Sequence, residues 1–93
     1  MVLSELIAAI QARNPTLPRA AADAAVRRLF RTMMRALEQD QRIELRDFGV
    51  LEIRVHRARP GQNPQSGEPI ELPDRRVVHW RTSKALARRL NGG

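Results

Sequence analysis

Residues 42–80 read RIELRDFGVLEIRVHRARPGQNPQSGEPIELPDRRVVHW, and the changes of rhythm inside this stretch decide the fold. Ile43 and Leu45 alternate with Arg42, Glu44 and Arg46. After Asp47-Phe48-Gly49, Leu51, Ile53 and Val55 alternate with Glu52, Arg54 and His56. A period of two marks half-buried strands, so the segment predicts two antiparallel strands joined at the Asp-Phe-Gly turn. Between Arg57 and Arg76 come Pro60, Pro64, Pro69 and Pro73, with Gly61 and Gly67 and almost no large apolar side chain. Such a stretch cannot supply a core, and a structureless loop of that length is unusual in a small domain. It reads instead as a two-stranded ribbon turning near residues 63–67. Val77, Val78 and Trp80 then bring the chain back as a strand.

On the N-terminal side the period is helical. Leu3, Leu6, Ile7 and Ile10 predict a short amphipathic helix over 3–13, stopped by Asn14-Pro15. Pro18 suits a first helical turn. From there Ala22, Val26, Leu29, Phe30, Met33 and Leu37 form one stripe of a long helix over 18–39, whose other side carries Arg27, Arg28, Arg31 and Arg35. A solvated helix face is the favoured reading of those arginines. On the C-terminal side Ser83 can cap a last helix in which Leu86 and Leu90 face inward, with Asn91-Gly92 ending it.

The chain has 93 residues, 42% hydrophobic and 3% aromatic, which bounds it to one domain with a thin core. Trp80, Phe30 and Phe48 are its large rings. Oligomerisation is the natural remedy for so small a core. The formal charge is +7, and 16 of the 17 basic residues are arginine, whose planar fork suits phosphates and grooves better than a lysine point charge. A GC-rich genome also enriches arginine. Residues 1–41 hold 6 basic and 4 acidic side chains and residues 42–93 hold 11 and 6, so the excess concentrates on sheet, ribbon and last helix.

The absence of cysteine removes disulfides, thiolate metal sites and cysteine nucleophiles, and makes a reducing cytoplasm the simplest home. No leader and no spanning apolar run is apparent, so the chain is expected to be neither exported nor membrane-embedded. With no Gly-rich phosphate loop, no clustered metal ligands and only His56 and His79, both expected to decorate strand surfaces, neither an enzyme nor a cofactor is expected.

The motifs SELI at 4–7, RIELRDFG at 42–49, RPGQNPQSGEPIEL at 59–72 and VVHWRTSKAL at 77–86 resemble the bacterial HU and integration host factor family over nearly the whole chain. The segment Gly61-x-Asn63-Pro64-x-x-Gly67 is the most specific part. Arg42-x-Glu44-x-Arg46 before Phe48-Gly49 is most similar to the β-type subunits of integration host factor. The resemblance implies an α+β fold used as an intertwined dimer: a single domain over 1–93, with a helical dimerisation part at about 1–41 and sheet, arm and last helix at about 42–93. It implies an architectural protein that binds double-stranded DNA in the minor groove and bends it, with a second copy or an α-type subunit as partner and the nucleoid as its place.

By position, Pro64 would be the wedge between base steps, with Asn63 and Gln62 beside it. Arg57 and Arg59 at the arm's root, and Arg75 and Arg76 at its return, would line the groove. Arg81, Lys84 and Ser4 would meet phosphate. Arg42, Glu44 and Arg46 would favour one target sequence, cross-strand ion pairing being the alternative. Phe30, Met33, Met34, Leu37 and Phe48 would form the dimer interface. The chain departs from the family at Gln62 and Gln65, where basic residues are usual, at Asp47 in place of glycine, at Thr82-Ser83 before Lys84, and at Val2 in a capping position. Two other functions stay open: an HU-like homodimer coating DNA without sequence preference, and a basic helix over 18–39 that binds a partner protein or an anionic membrane.

Overall fold

A computed structural model describes residues 1–62 and 64–92; within the ribbon strands the side chains of residues 59, 60, 62 and 70–72 lie outside that description. The elements run α1 (Leu3–Arg13), α2 (Arg19–Glu38), β1 (Ile43–Leu45), β2 (Gly49–His56), β3 (Arg59–Gln62), β4 (Pro69–Leu72), β5 (Arg75–Thr82) and α3 (Lys84–Leu90). The chain falls into two compact units, Met1–Arg35 and Ala36–Gly93.

In the first unit Ile7 packs against Ala22 and Val26, with Leu3, Ile10 and Leu17 around them. These three are the buried hydrophobic side chains among the described residues. Helix α1 starts at Val2, which offers no side-chain cap, so Ser4 lies inside the first turn instead of capping it. Glu5 near the start and Arg13 near the end suit the helix dipole. Asn14 closes the helix by donating from Nδ2 to the Ile10 carbonyl at 2.9 Å. Helix α2 is one residue shorter at each end than its apolar stripe suggests. Pro18 sits just outside it, its carbonyl accepting from the Ala22 amide at 3.1 Å.

The second unit opens on the end of α2, which closes in a Schellman motif. The Asp40 amide donates to the Leu37 carbonyl and the Gln41 amide to the Ala36 carbonyl. The motif needs a left-handed residue, and Asp40 fills that place at φ 59°. A second left-handed aspartate, Asp47 at φ 63°, turns the chain from β1 into β2, the Phe48 amide donating to the Leu45 carbonyl. Aspartate tolerates this conformation better than most residues, which is how the turn does without the family's glycine.

Strands β1, β2 and β5 form one antiparallel sheet in that order, and β3 and β4 form a separate two-stranded antiparallel ribbon. Strand β5 begins at Arg75, two residues before the apolar run that betrays it, and pairs with all of β2. The ribbon turns through Pro64–Ser66, followed by Gly67 at φ 73°. The Ser83 hydroxyl accepts from the Leu86 amide at 3.0 Å and caps α3. Leu86 is half-buried, but Leu90, expected to face inward as well, is exposed at the last position of the helix.

Candidate nucleic-acid interface

Residues paired directly across an antiparallel ladder share a face. The pairs Leu45–Gly49, Ile43–Leu51, Leu51–Trp80, Ile53–Val78 and Val55–Arg76 therefore place most of the apolar side chains, all but Val50 and Val77, together on one face with Arg76. The pairs Glu44–Val50, Val50–Arg81, Glu52–His79, Arg54–Val77 and His56–Arg75 put the charged side chains on the other. The alternation of Arg42 and Arg46 with β1 adds both to the charged side. Five arginines, at 42, 46, 54, 75 and 81, thus belong to one surface, on which strands β1 and β2 place the acids Glu44 and Glu52.

One end of this surface is a cleft of about 550 Å³, lined by Glu44, Arg46, Asp47, Arg81 and Lys84 together with Leu45, Gly49, Val50, Thr82 and Ser83. Its floor depends on Gly49. A Cβ there would run into the Trp80 ring and approach the Arg81 carbonyl oxygen to 2.6 Å, so only glycine lets β2 lie this close to β5. Trp80 in turn packs its ring edge-on against Phe48 at 5.0 Å and donates from Nε1 to the Thr82 hydroxyl at 2.9 Å. The Ser83 amide donates to the Phe48 carbonyl at 3.0 Å. Turn, strand end and α3 start are therefore held together. The Ser83 hydroxyl is taken up as a cap, leaving Lys84 as the charged group of that helix start in the cleft.

Ion pairs set the angles of the arginines. Arg42 lies 3.0 Å from Glu44, so a carboxylate does engage one of the two guanidiniums that flank it in sequence. Arg54 donates to Glu52 at 3.2 Å. That hydrogen bond holds the Glu52 carboxyl below the usual carboxylate range; desolvation opposes it, and the charges of Arg54, Arg81 and Arg42 reinforce it. His79, opposite Glu52, is half-buried instead of decorating the surface. Its Nδ1 is buried without a hydrogen-bond partner and 4.0 Å from Glu52, whereas His56 is exposed as expected. Arg54 escaped the sequence reading, although its place in the period-two pattern on the Arg42–Arg46 side was the available signal.

The arm's root is tied by Asp74, which accepts from the Ala58 amide and lies 3.8 Å from Arg57. Arg57 is otherwise open to solvent at 83% exposure. Arg75 and Arg76, adjacent in sequence, part company. Arg75 joins the charged face. Arg76 reaches the end of α2, donating to the Leu37 and Glu38 carbonyls at 3.2 and 2.9 Å and to Asp40 at 2.7 Å. Pro64 is exposed at the ribbon turn. Asn63 and the side chains of Arg59 and Gln62 lie outside the described residues. Ser4 is exposed in the first unit, its carbonyl accepting from Arg19 at 3.4 Å. Among the described residues no group of three potential metal ligands gathers, and no helix is long and apolar enough to cross a membrane.

Comparison with known proteins agrees with this geometry. The chain is 38% identical over 91 residues to an integration host factor β subunit of Nitrosospira multiformis, covering 98% of this chain and 97% of that one. It is 39% identical over 92 residues to the β subunit of Burkholderia mallei, covering 99% and 86%. Its fold superposes on an Anabaena HU–DNA co-crystal structure with a TM-score of 0.87 at 27% identity over the whole of both chains. A Thermotoga maritima HU variant shares the fold alone, with a TM-score of 0.70 at 18% identity, covering 97% of this chain and 99% of that one. The family of bacterial DNA-binding proteins matches residues 1–91, and the chain belongs to it: it is a member of the HU and integration host factor family of architectural DNA-binding proteins.

Proposed function

We propose that the protein binds the minor groove of double-stranded DNA and bends it, with the charged sheet face and the cleft of Arg46, Arg81 and Lys84 seating the duplex while two ribbon arms wrap it. The observation that carries this reading is the distribution of charge on the sheet: five arginines on one face, opposite the face of Leu51, Ile53, Val55, Val78 and Trp80, next to a ribbon whose turn presents an exposed proline. Arginine forks bond phosphate oxygens in pairs and enter narrow, electronegative grooves. A ribbon is thin enough to follow the groove. Proline suits insertion because its ring is rigid and carries no N–H that would need a partner among stacked bases.

Glu44 belongs to this mechanism as a brake. It fixes Arg42 and opposes phosphate wherever the duplex does not let that arginine reach its target, which lowers affinity for wrong sites. The working unit is a dimer, formed with an α-type subunit or a second copy, because one chain leaves Leu29, Phe30 and Met34 exposed along α2. Acting on the bacterial chromosome, such a dimer supports recombination, replication, transcription control and nucleoid organisation.

The deciding measurement is the bend of a duplex labelled at both ends for energy transfer. Unstacking a base step costs a few kcal/mol and is recovered only through wrapped contacts, so Pro64→Ala should reduce the bend while leaving folding and assembly intact. An unchanged bend angle would make Pro64 a turn residue and nothing more.

A further inference from the structure

The sheet face does not use all the charge. Helix α2 carries Arg28, Arg31 and Arg35 on the side away from its apolar stripe, within about 60° of arc at 3.6 residues per turn. With Ala24 and Thr32 they line a shallow cleft of about 510 Å³. All five residues are exposed. Asp23 is already taken by Arg27 at 2.9 Å. None of the three arginines has an ion pair or a side-chain hydrogen bond among the described residues. Three uncompensated guanidiniums in a row repel one another, and this repulsion favours an anionic partner.

We propose that this ridge is a second DNA-binding site, which lets the assembled protein hold another duplex in addition to the one it bends. From Arg28 to Arg35 the ridge runs seven residue steps, about 10 Å along the helix, a length over which one strand of a duplex presents about three phosphates. Guanidiniums bond phosphate oxygens in pairs, and the cleft contains no apolar side chain larger than alanine with which to anchor a peptide. The match is therefore to a regular row of phosphates. The ridge also points away from the stripe that assembly covers, so it stays open in a dimer.

The test immobilises one duplex, saturates it with the full-length protein and its partner subunit, and then offers a second, fluorescent duplex across a salt series. The wild type should capture it. The variant carrying Arg28→Gln, Arg31→Gln and Arg35→Gln should still hold and bend the immobilised duplex, because glutamine keeps an exposed helix intact. Its capture of the second duplex should fall about tenfold or more, with a salt slope shallower by about three. Lysine at the same three positions should restore most of the capture. Equal capture by the glutamine variant overturns the proposal. So does a wild type that takes up polyglutamate in preference to the duplex, which would assign the ridge to an acidic polypeptide. A wild type that fails to retain the immobilised duplex instead refutes the sheet-and-arm reading. The ridge is then judged by the mobility shift of a free duplex: a shift lost in the glutamine variant supports it, and no shift overturns it.

Discussion

Gly49 and Glu52 show how much of the interface rests on single atoms. At Gly49 the space for a side chain is occupied by the Trp80 ring and the Arg81 carbonyl. Gly49→Ala must push the ring or separate β2 from β5, which should cost about 1–3 kcal/mol. Urea unfolding would measure it, and the same change should weaken DNA binding because Arg81 moves with its strand. Glu52 makes a pH prediction. Its carboxyl is held below the usual range chiefly by the Arg54 hydrogen bond, so its folded pKa lies under its unfolded one. The resulting stabilisation is complete above the unfolded pKa and disappears as pH falls through the folded one. Glu52→Gln should therefore flatten the acid limb of stability against pH and leave its shape at neutral pH unchanged.

At the scale of the element, the local signals were legible and the long-range ones were not. The 3.6-residue stripe of α2 and the alternation of residues 42–56 are properties of neighbours in sequence, and they locate α1, α2, β1 and β2 to within about a residue. The pairing of β5 is a property of the ladder. Its register sends Arg75 and Arg76 to opposite faces, and nothing near them in sequence says which goes where. A sequence reading that grouped the two at the arm's return could not see that Arg76 is held at the end of α2. There it meets the last helical carbonyls, where a cation is favoured, and the left-handed Asp40 that closes the helix. Because Arg76 and Asp40 remain about half-exposed or more, their attraction is screened, and Arg76→Gln should cost only roughly 1 kcal/mol. The expected signature is a lower midpoint in thermal unfolding with DNA affinity nearly unchanged. A large loss of affinity at constant stability would return Arg76 to the DNA-contacting set.

The whole molecule is short of interior. Ile7, Ala22 and Val26 are the buried apolar side chains among the described residues, while Leu29, Phe30 and Met34 lie open on α2 and Phe48, Val78 and Trp80 on the sheet unit. Burial of such side chains supplies about 25 cal/mol per Å², and the proposed dimer would bury this surface on assembly. The apparent stability should consequently rise with protein concentration. Phe30→Asp, which places a charge in the middle of the apolar stripe, should abolish folding and DNA binding together; circular dichroism and a mobility shift read both. A folded monomeric variant that still bends DNA would refute the dimer. Thin composition in rings and core is the sequence signal behind that proposed assembly, whereas the choice of second subunit is a matter of surface fit between two chains.

The contact between Arg76 and the end of α2 also sets an order of events during synthesis. The helix can begin winding as soon as residues 19–35 leave the ribosome, but its final carbonyls and Asp40 find their cation 36 residues later in the chain. Loops of that length close only after the intervening segment exists, and domains acquire structure from the N-terminus as they emerge. The Schellman hydrogen bonds can close the helix locally, but its last carbonyls should gain their cation, and the last turn its full protection, only when β5 arrives. A chain truncated after residue 74 would lack that cation, and its backbone amides around residues 36–41 should exchange with solvent faster than in the full chain.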